Sequence, residues 1–433
     1  MKKEADIVVG IDCGLDKHQY QISTKEGTVL SKGVLENTKK KAKALIKKLE
    51  SIAPKNKILV GMEATNTYHI CMQNYFTGNG YKTIVINPLK TSIYKQIDDY
   101  GNKTDAIDAN GICQFLMDGK HKNIKQMNQK YLKLRELCRC RQKIQGDMTR
   151  AAIRLQSRLV IINPEFRQYF SKNLCESAVY LLEKYATPEE LAAVDVEQLQ
   201  EDLDKIANGL GKKNSAEKIV ALAKETFGIM EDRDGYLRYI QHHLEVYKFL
   251  RKKVRDIKAE IRKEAKEDYC KKEIETINSI PGIGIETSAG ILSELGDIKN
   301  FEKISSIVRF AGMIALKKES STIVGKSRMS KQGSRYLRCY LHHAAMGAKL
   351  HSATFAAVYA NRNLKVKDMD PSIKKIAKAK LRSCLARRIL ETIAMCLMKD
   401  RSFDDKIAFE SIELDDFVRE TIGVQFQRQL AAL

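Results

Sequence analysis

A chain of 433 residues, 43% of them hydrophobic, has room for two or three domains with cores of their own. Its 76 lysines and arginines against 54 acidic residues leave a net charge of +22, which suits a polyanionic partner, nucleic acid being the commonest for a soluble protein. No signal peptide opens the chain and no apolar run is long enough to span a bilayer, so a cytoplasmic, nucleoid-associated protein with no membrane partner is expected. The ten cysteines lie singly, Cys138 and Cys140 being the closest pair, and no Cys-x-x-Cys spacing occurs. Reduced structural thiols fit this better than disulfides or zinc.

In chain order, Ala5 to Gly14 (ADIVVGIDCG) is an apolar, β-branched run that reads as a buried strand delivering Asp12 at its end. Two shorter strands follow around Tyr20 to Thr24 and Thr28 to Leu35, then a helix over Lys39 to Leu49. The apolar run Lys57 to Met62 carries Glu63 at its end, and a helix from Thr67 and a strand over Tyr81 to Asn87 come next. Asn102-Lys103-Thr104-Asp105-Ala106-Ile107-Asp108 then opens a helix with two carboxylates three positions apart, on one face with Cβ atoms about 5 to 6 Å from each other. Two anions so close call for a cation. Without one, repulsion raises one carboxyl pKa, whereas Mg2+ or Mn2+, which prefer oxygen ligands, keep both ionised. A solvated first turn favoured by the helix dipole is the bland alternative, and the strand-end acids Asp12 and Glu63 tip the balance against it. A phosphate-loop aspartate is the competing role for Asp12, but Leu15-Asp16-Lys17-His18 offers no glycine-rich loop. The order of elements and acids resembles an RNase H-like fold of the Holliday-junction-resolvase (RuvC) type over residues 1–127. That resemblance implies two divalent ions about 4 Å apart, assisting the attacking and leaving oxygens of a phosphodiester.

Leu134, Leu137, Arg141, Ile144, Met148, Ala151 and Leu155 alternate spacings of three and four, and Ile240, Leu244, Tyr247, Leu250, Val254, Ile257 and Ile261 form a matching seam. An antiparallel coiled-coil arm over 128–270 is expected, with short helices inserted at about 165–238. In the insertion, Thr187-Pro188-Glu189-Glu190 reads as a capped helix start. Arg139, Arg150 and Arg154 on the first arm helix are candidate phosphate contacts, with a merely solvated face as the alternative.

The last segment, 271–433, reads as mainly helical. Ile277 to Gly296 (INSIPGIGIETSAGILSELG) resembles a helix-hairpin-helix module, in which the backbone at Gly282 and Gly284 would approach a phosphate. A structural helix corner is the alternative. The basic loop that follows holds Ser320, Ser321, Lys326, Arg328 and Lys331, and Arg335 and Arg338 open the next helix. The cations are candidates for phosphate binding. A basic helix over Lys374 to Arg388 reads as core with a basic outer face.

GIDCG with Asp12, GMEATNTY with Glu63, INP at Ile86 to Pro88, NKTDAIDA with Asp105 and Asp108, IPGIG, FAG at Phe310 to Gly312, and SRMSKQG followed by YLR resemble the insertion-sequence-110 family of transposases. The resemblance implies a DNA recombinase with a DEDD carboxylate set holding Mg2+ or Mn2+, and a serine nucleophile that falls here at Ser320, with Ser321 as the alternative. It also implies a structured bridge RNA as guide, donor and target double-stranded DNA as substrates, and dimers pairing into a tetramer. A serine hydroxyl is a weak nucleophile and needs a base or metal. The expected chemistry is therefore attack by Ser320 beside the metal-binding acids, giving a phosphoserine linkage that conserves the bond energy for rejoining. The alternatives are a metal-dependent nuclease or junction resolvase in which water attacks, and a purely structural nucleic-acid-binding protein that would survive loss of all four acids.

Overall fold

A computed structural model describes residues 5–64, 67–88, 90–91, 94, 105–119, 129–169, 174–206, 215–229, 231–316, 319–320, 323–324, 328–364, 366–414 and 416–426, with the backbone alone at 105–107, 129, 319–320, 323–324, 328 and 417. The chain divides into two compact units, Met1–Met127 and Asn128–Leu433.

The first unit is built on a five-stranded sheet. Strands β1 (Ile7–Cys13), β2 (Lys17–Thr24) and β3 (Val29–Glu36) form an antiparallel meander, α1 (Lys39–Ile52) crosses over, and β4 (Ile58–Glu63) returns parallel to β1. Helix α2 (His69–Gly78) leads to β5 (Lys82–Ile86), parallel to β4, so the order across the sheet is β3-β2-β1-β4-β5. Thr38 starts α1 by accepting a hydrogen bond from the Lys41 N–H, satisfying one of the orphan donors of the first turn. Helix α3 (Asp105–Met117) completes the unit.

Alternation along the strands assigns the two faces. Ile7, Val9, Ile11 and Cys13 of β1, with Ile58, Val60 and Met62 of β4, share a core with α1 and α2. The intervening residues face α3, where Val8 and Leu59 pack with Ile112, Cys113, Phe115 and Leu116. On that face Gly10 and Gly61 are register partners. A Cβ at Gly10 would lie 2.4 Å from the Ala109 carbonyl oxygen, and one at Gly61 would lie 2.8 Å from Leu116. Two side-by-side glycines thus make the shallow seat in which α3 lies, and Gln21 Nε2, opposite Gly10, ties the helix down by donating to Asn110 Oδ1 at 2.8 Å.

Among its described residues the second unit is helical apart from one β segment. Helix α4 (Leu132–Ile162) is followed by five short helices, α5 (Phe166–Tyr169), α6 (Glu176–Lys184), α7 (Pro188–Ala192), α8 (Val196–Ile206) and α9 (Ser215–Lys224), and then by α10 (Asp234–Glu264). Leu134 and Cys138 near the start of α4 share a core with Ile261 near the end of α10. Leu155, Leu159 and Ile162 share another with Ile240 and Leu244. The two 31-residue helices therefore run antiparallel between two cores. The short helices cap one end, and α7 begins at the expected site, where the Thr187 hydroxyl accepts from the Glu190 N–H and the Glu190 carboxylate accepts from the Thr187 N–H.

The other core gathers α11 (Lys271–Asn278), α12 (Ile285–Leu295), α13 (Ile304–Phe310), α14 (Arg335–His351), α15 (Ala353–Leu364) and α16 (Pro371–Lys399), with α17 (Asp405–Glu410) and α18 (Asp416–Gln425) closing the chain on α15. Between α13 and α14 the segment expected to be an irregular loop forms two antiparallel ladders. Strand β6 (Ala315–Leu316) pairs with β9 (Arg328–Met329), and β7 (Glu319–Ser320) pairs with β8 (Ile323–Val324).

Candidate active site

Asp12 and Glu63 sit one step beyond the last register pair of β1 and β4, Ile11 with Met62. By alternation both belong to the face of the sheet that carries the Gly10–Gly61 seat, so both lie on the side of α3. Asp12 is half-buried and Glu63 buried at 6% exposure. Thr91, fully buried, donates from Oγ1 to Glu63 Oε2 at 2.8 Å and shares that proton with the Pro88 carbonyl oxygen at 3.0 Å. The Cys13 thiol, on the opposite face of β1, is pushed up to about 12 by burial first, then by the negative charges of Asp12 and Glu63. Two carboxylates close enough to act on one thiol mark a concentration of negative charge at the ends of these strands.

Asp108 is buried, one residue before Ala109, whose carbonyl oxygen rests against Gly10, two positions upstream of Asp12. Asp105 is the first residue of α3; its side chain lies outside the described residues, as do Lys103, Ser321 and Lys326 altogether. Among the described residues no group of three or more His, Cys, Asp or Glu side chains comes together as a metal cage. The donors at the two strand ends are carboxylate oxygens, the ligand type that Mg2+ and Mn2+ prefer. Mg2+ is commonly held by just one or two carboxylates, with waters and substrate phosphates completing its shell.

The candidate residues of the second unit fall into two classes. Ser320 lies in β7 with Ile323 as register partner, and Arg328 in β9; the backbone alone is described for both. Lys331 is exposed, with φ 55°, and Arg335 is exposed, its guanidinium 5.0 Å from the Tyr336 ring centroid. Arg150 pairs with Asp147 on the surface and Arg154 is exposed on the same helix. Two other cations point inward. Arg338 Nη1 donates to the carbonyls of Ala311 (3.1 Å) and Gly333 (2.9 Å), and Arg139 forms a two-pronged pair with Glu294. Both guanidiniums are used within the fold. Gly282, at φ 86°, abuts Gly347 of α14, a contact that a Cβ would close to 2.3 Å, while Gly284 starts α12 in open space.

Sequence reasoning passed over Thr91, Glu294 and Ser334. Thr91 carries no pattern that a single sequence exposes. Glu294 left a trace, as an acid in the apolar run GILSELG facing a chain rich in arginine.

Two family models match the chain. One, of DEDD-type IS110 transposases and described as a transposase, spans residues 9–164, and the other, described as the transposase IS116/IS110/IS902 family, spans residues 274–360. Together they cover more than half of the sequence. The chain belongs to the IS110 family of transposases. No curated protein matches it. The first match runs from β1 to just past the end of α4, and the second from α11 into α15. The short helices α6 to α9 of the transposase fall between them. Membership makes it an enzyme of DNA transposition acting on DNA, and among the described residues no helix is long and apolar enough to cross a membrane.

Proposed function

We propose that the transposase cuts and rejoins donor and target DNA through a phosphoserine intermediate, under the direction of a structured bridge RNA. In this reading Asp12, Glu63, Asp105 and Asp108 hold Mg2+ or Mn2+, and Ser320 is the nucleophile. The observation that carries it is the placement of Asp12 and Glu63 side by side at parallel strand ends, on the face covered by the helix bearing Asp108. The sheet order β3-β2-β1-β4-β5 supports an RNase H-like, RuvC-like assignment of the first unit.

When bound, the metal supplies positive charge that lowers the pKa of an attacking hydroxyl and neutralises the developing phosphorane. The protein's own groups do the rest. Thr91 keeps Glu63 oriented. The Ser320 oxygen bonds to phosphorus as its proton passes to water, the bond from phosphorus to one deoxyribose oxygen breaks and that oxygen takes a proton back from water to leave as a hydroxyl, and the phosphate ester energy stays in the Ser–O–P bond, ready for a second hydroxyl to reverse the step. Lys103, Lys326, Arg328, Lys331 and Arg335 would neutralise phosphates, together with Arg150 and Arg154. The α11–α12 hairpin would serve as a helix-hairpin-helix contact through Gly282 and Gly284, in a C-terminal domain over 271–433. The antiparallel α4–α10 pair would act as a coiled-coil arm that pairs dimers into a tetramer.

The test is a set of single variants on the element's own DNA ends. Asp12→Asn and Glu63→Gln are expected to abolish cleavage, and Ser320→Ala to abolish the protein–DNA adduct while metal binding persists. Cleavage preserved in both Ser320→Ala and Ser321→Ala would instead assign the attack to water, as in a metal-dependent nuclease or junction resolvase.

A further inference from the structure

Near the end of α12, Glu294 is 3% exposed. A carboxylate so deeply placed needs partners matched to its charge and lone pairs. Arg139 of α4 donates from Nε to Glu294 Oε1 at 2.6 Å and from Nη2 to Oε2 at 3.0 Å. Ser334 donates from Oγ to Oε2 at 2.6 Å, and the same hydroxyl accepts from the Leu337 N–H at 3.2 Å, capping α14. The ring of Tyr336 covers the Arg139 guanidinium, 4.9 Å from its centroid. Three segments therefore meet on one buried carboxylate: the long helix α4, helix α12, and the residue at which the β6–β9 segment gives way to α14.

That segment is closed at its base. The Lys331 N–H donates to the Gly312 carbonyl at 3.0 Å and the Ser330 N–H to that of Ile314 at 2.9 Å, below the β6–β9 ladder. Arg338, one turn into α14 from Ser334, holds the carbonyls of Ala311 and Gly333, one at each end. The β6–β9 ladder, within whose span of sequence Ser320 falls, thus has a base clamped by Arg338 and bolted through Ser334 and Glu294 to α4.

We propose that Glu294 is a positioning residue that makes the arm helix α4 and the base of the Ser320 segment move as one body. The inference rests on the reading of Ser320 as nucleophile. A bidentate arginine–carboxylate pair has one good geometry, so a shift of α4 either breaks a bond or carries Ser334 with it. Displacing a reacting group by about 1 Å costs on the order of 10²-fold in rate, so the pair provides a route by which arm engagement gates attack.

The experiment compares full-length wild type with Glu294→Gln and the milder Arg139→Lys, which keeps the charge and loses the fork. Three quantities are measured: the rate of covalent adduct formation at saturating duplex DNA from the element's ends, the Kd for that DNA, and amide hydrogen exchange over 328–337. Expected are a roughly 10²-fold slower adduct in Glu294→Gln, an intermediate loss in Arg139→Lys, an unchanged Kd, and faster exchange over 328–337. Combining Arg139→Lys with Ser334→Ala should cost less than the product of the two separate losses. An unchanged adduct rate, even with faster exchange, would overturn the proposal, as would a weakened Kd with an unchanged rate at saturation. Absence of any serine adduct in the wild type would instead sink the Ser320 reading and this inference with it.

Discussion

Thr91 tests the placement of Glu63 at the level of one hydrogen bond. Thr91→Val keeps the shape and removes the donor, leaving a buried carboxylate oxygen less satisfied at a cost of about 1–3 kcal/mol. Groups that orient a metal-binding carboxylate typically change metal affinity by about 10- to 100-fold. With Glu63 in its proposed metal-binding role, the Mg2+ concentration for half-maximal cleavage should therefore rise by that factor while the fold persists, as a Mg2+ titration of cleavage would measure. Gly10→Ala probes the seat of α3: a Cβ 2.4 Å from the Ala109 carbonyl oxygen has nowhere to go, and a loss of about 1–3 kcal/mol or more is expected in a denaturant titration. At this scale Asp12 and Glu63 were legible because each ends an apolar β-branched run. Thr91 was not, because its role depends on which carboxylate the fold brings to it.

Among the elements, the main strands of the first unit could be read in advance from their apolar runs, the two long helices from heptad-like spacing, and the start of α7 from its Thr-Pro-x-Glu pattern. The β6–β9 segment could not. Its strands are two residues long, too short for any period to register, and its serines and lysines carry loop-like composition. Nor does spacing separate cations that face solvent from those that face carbonyls. If Arg154 meets a phosphate, Arg154→Ala lowers the slope of log affinity against log salt by about one. Arg338→Ala should leave that slope unchanged, because its guanidinium already holds Ala311 and Gly333, and lower the melting temperature instead. Salt-dependent DNA binding of the two variants reads both outcomes.

For the molecule as a whole, pH acts through groups removed in part or in full from water. Partial desolvation holds the half-buried His342 and the more exposed His343 below the usual histidine pKa of 6.5, helped at His342 by Arg382, His343 and Arg338 and at His343 by Arg141. Depressed values mean that this stability is complete above 6.5 and is lost as pH falls through the folded-state values. At the other end, Cys13 and Cys113, pushed up to about 12, contribute stability that is complete below their ordinary 9.0 and lost as pH rises towards 12. Scanning calorimetry from acid to alkaline pH should therefore show a melting temperature that drops on both sides, and His342→Gln should flatten the acid limb.

The proposed division of labour between acids of the first unit and a serine of the second is most directly tested by trapping the covalent protein–DNA adduct with Mg2+ and mapping the modified residue by mass spectrometry. Phosphoserine at position 320, lost in Asp12→Asn, is the predicted result. An adduct on any other residue, or complete cleavage with no adduct formed, would contradict it.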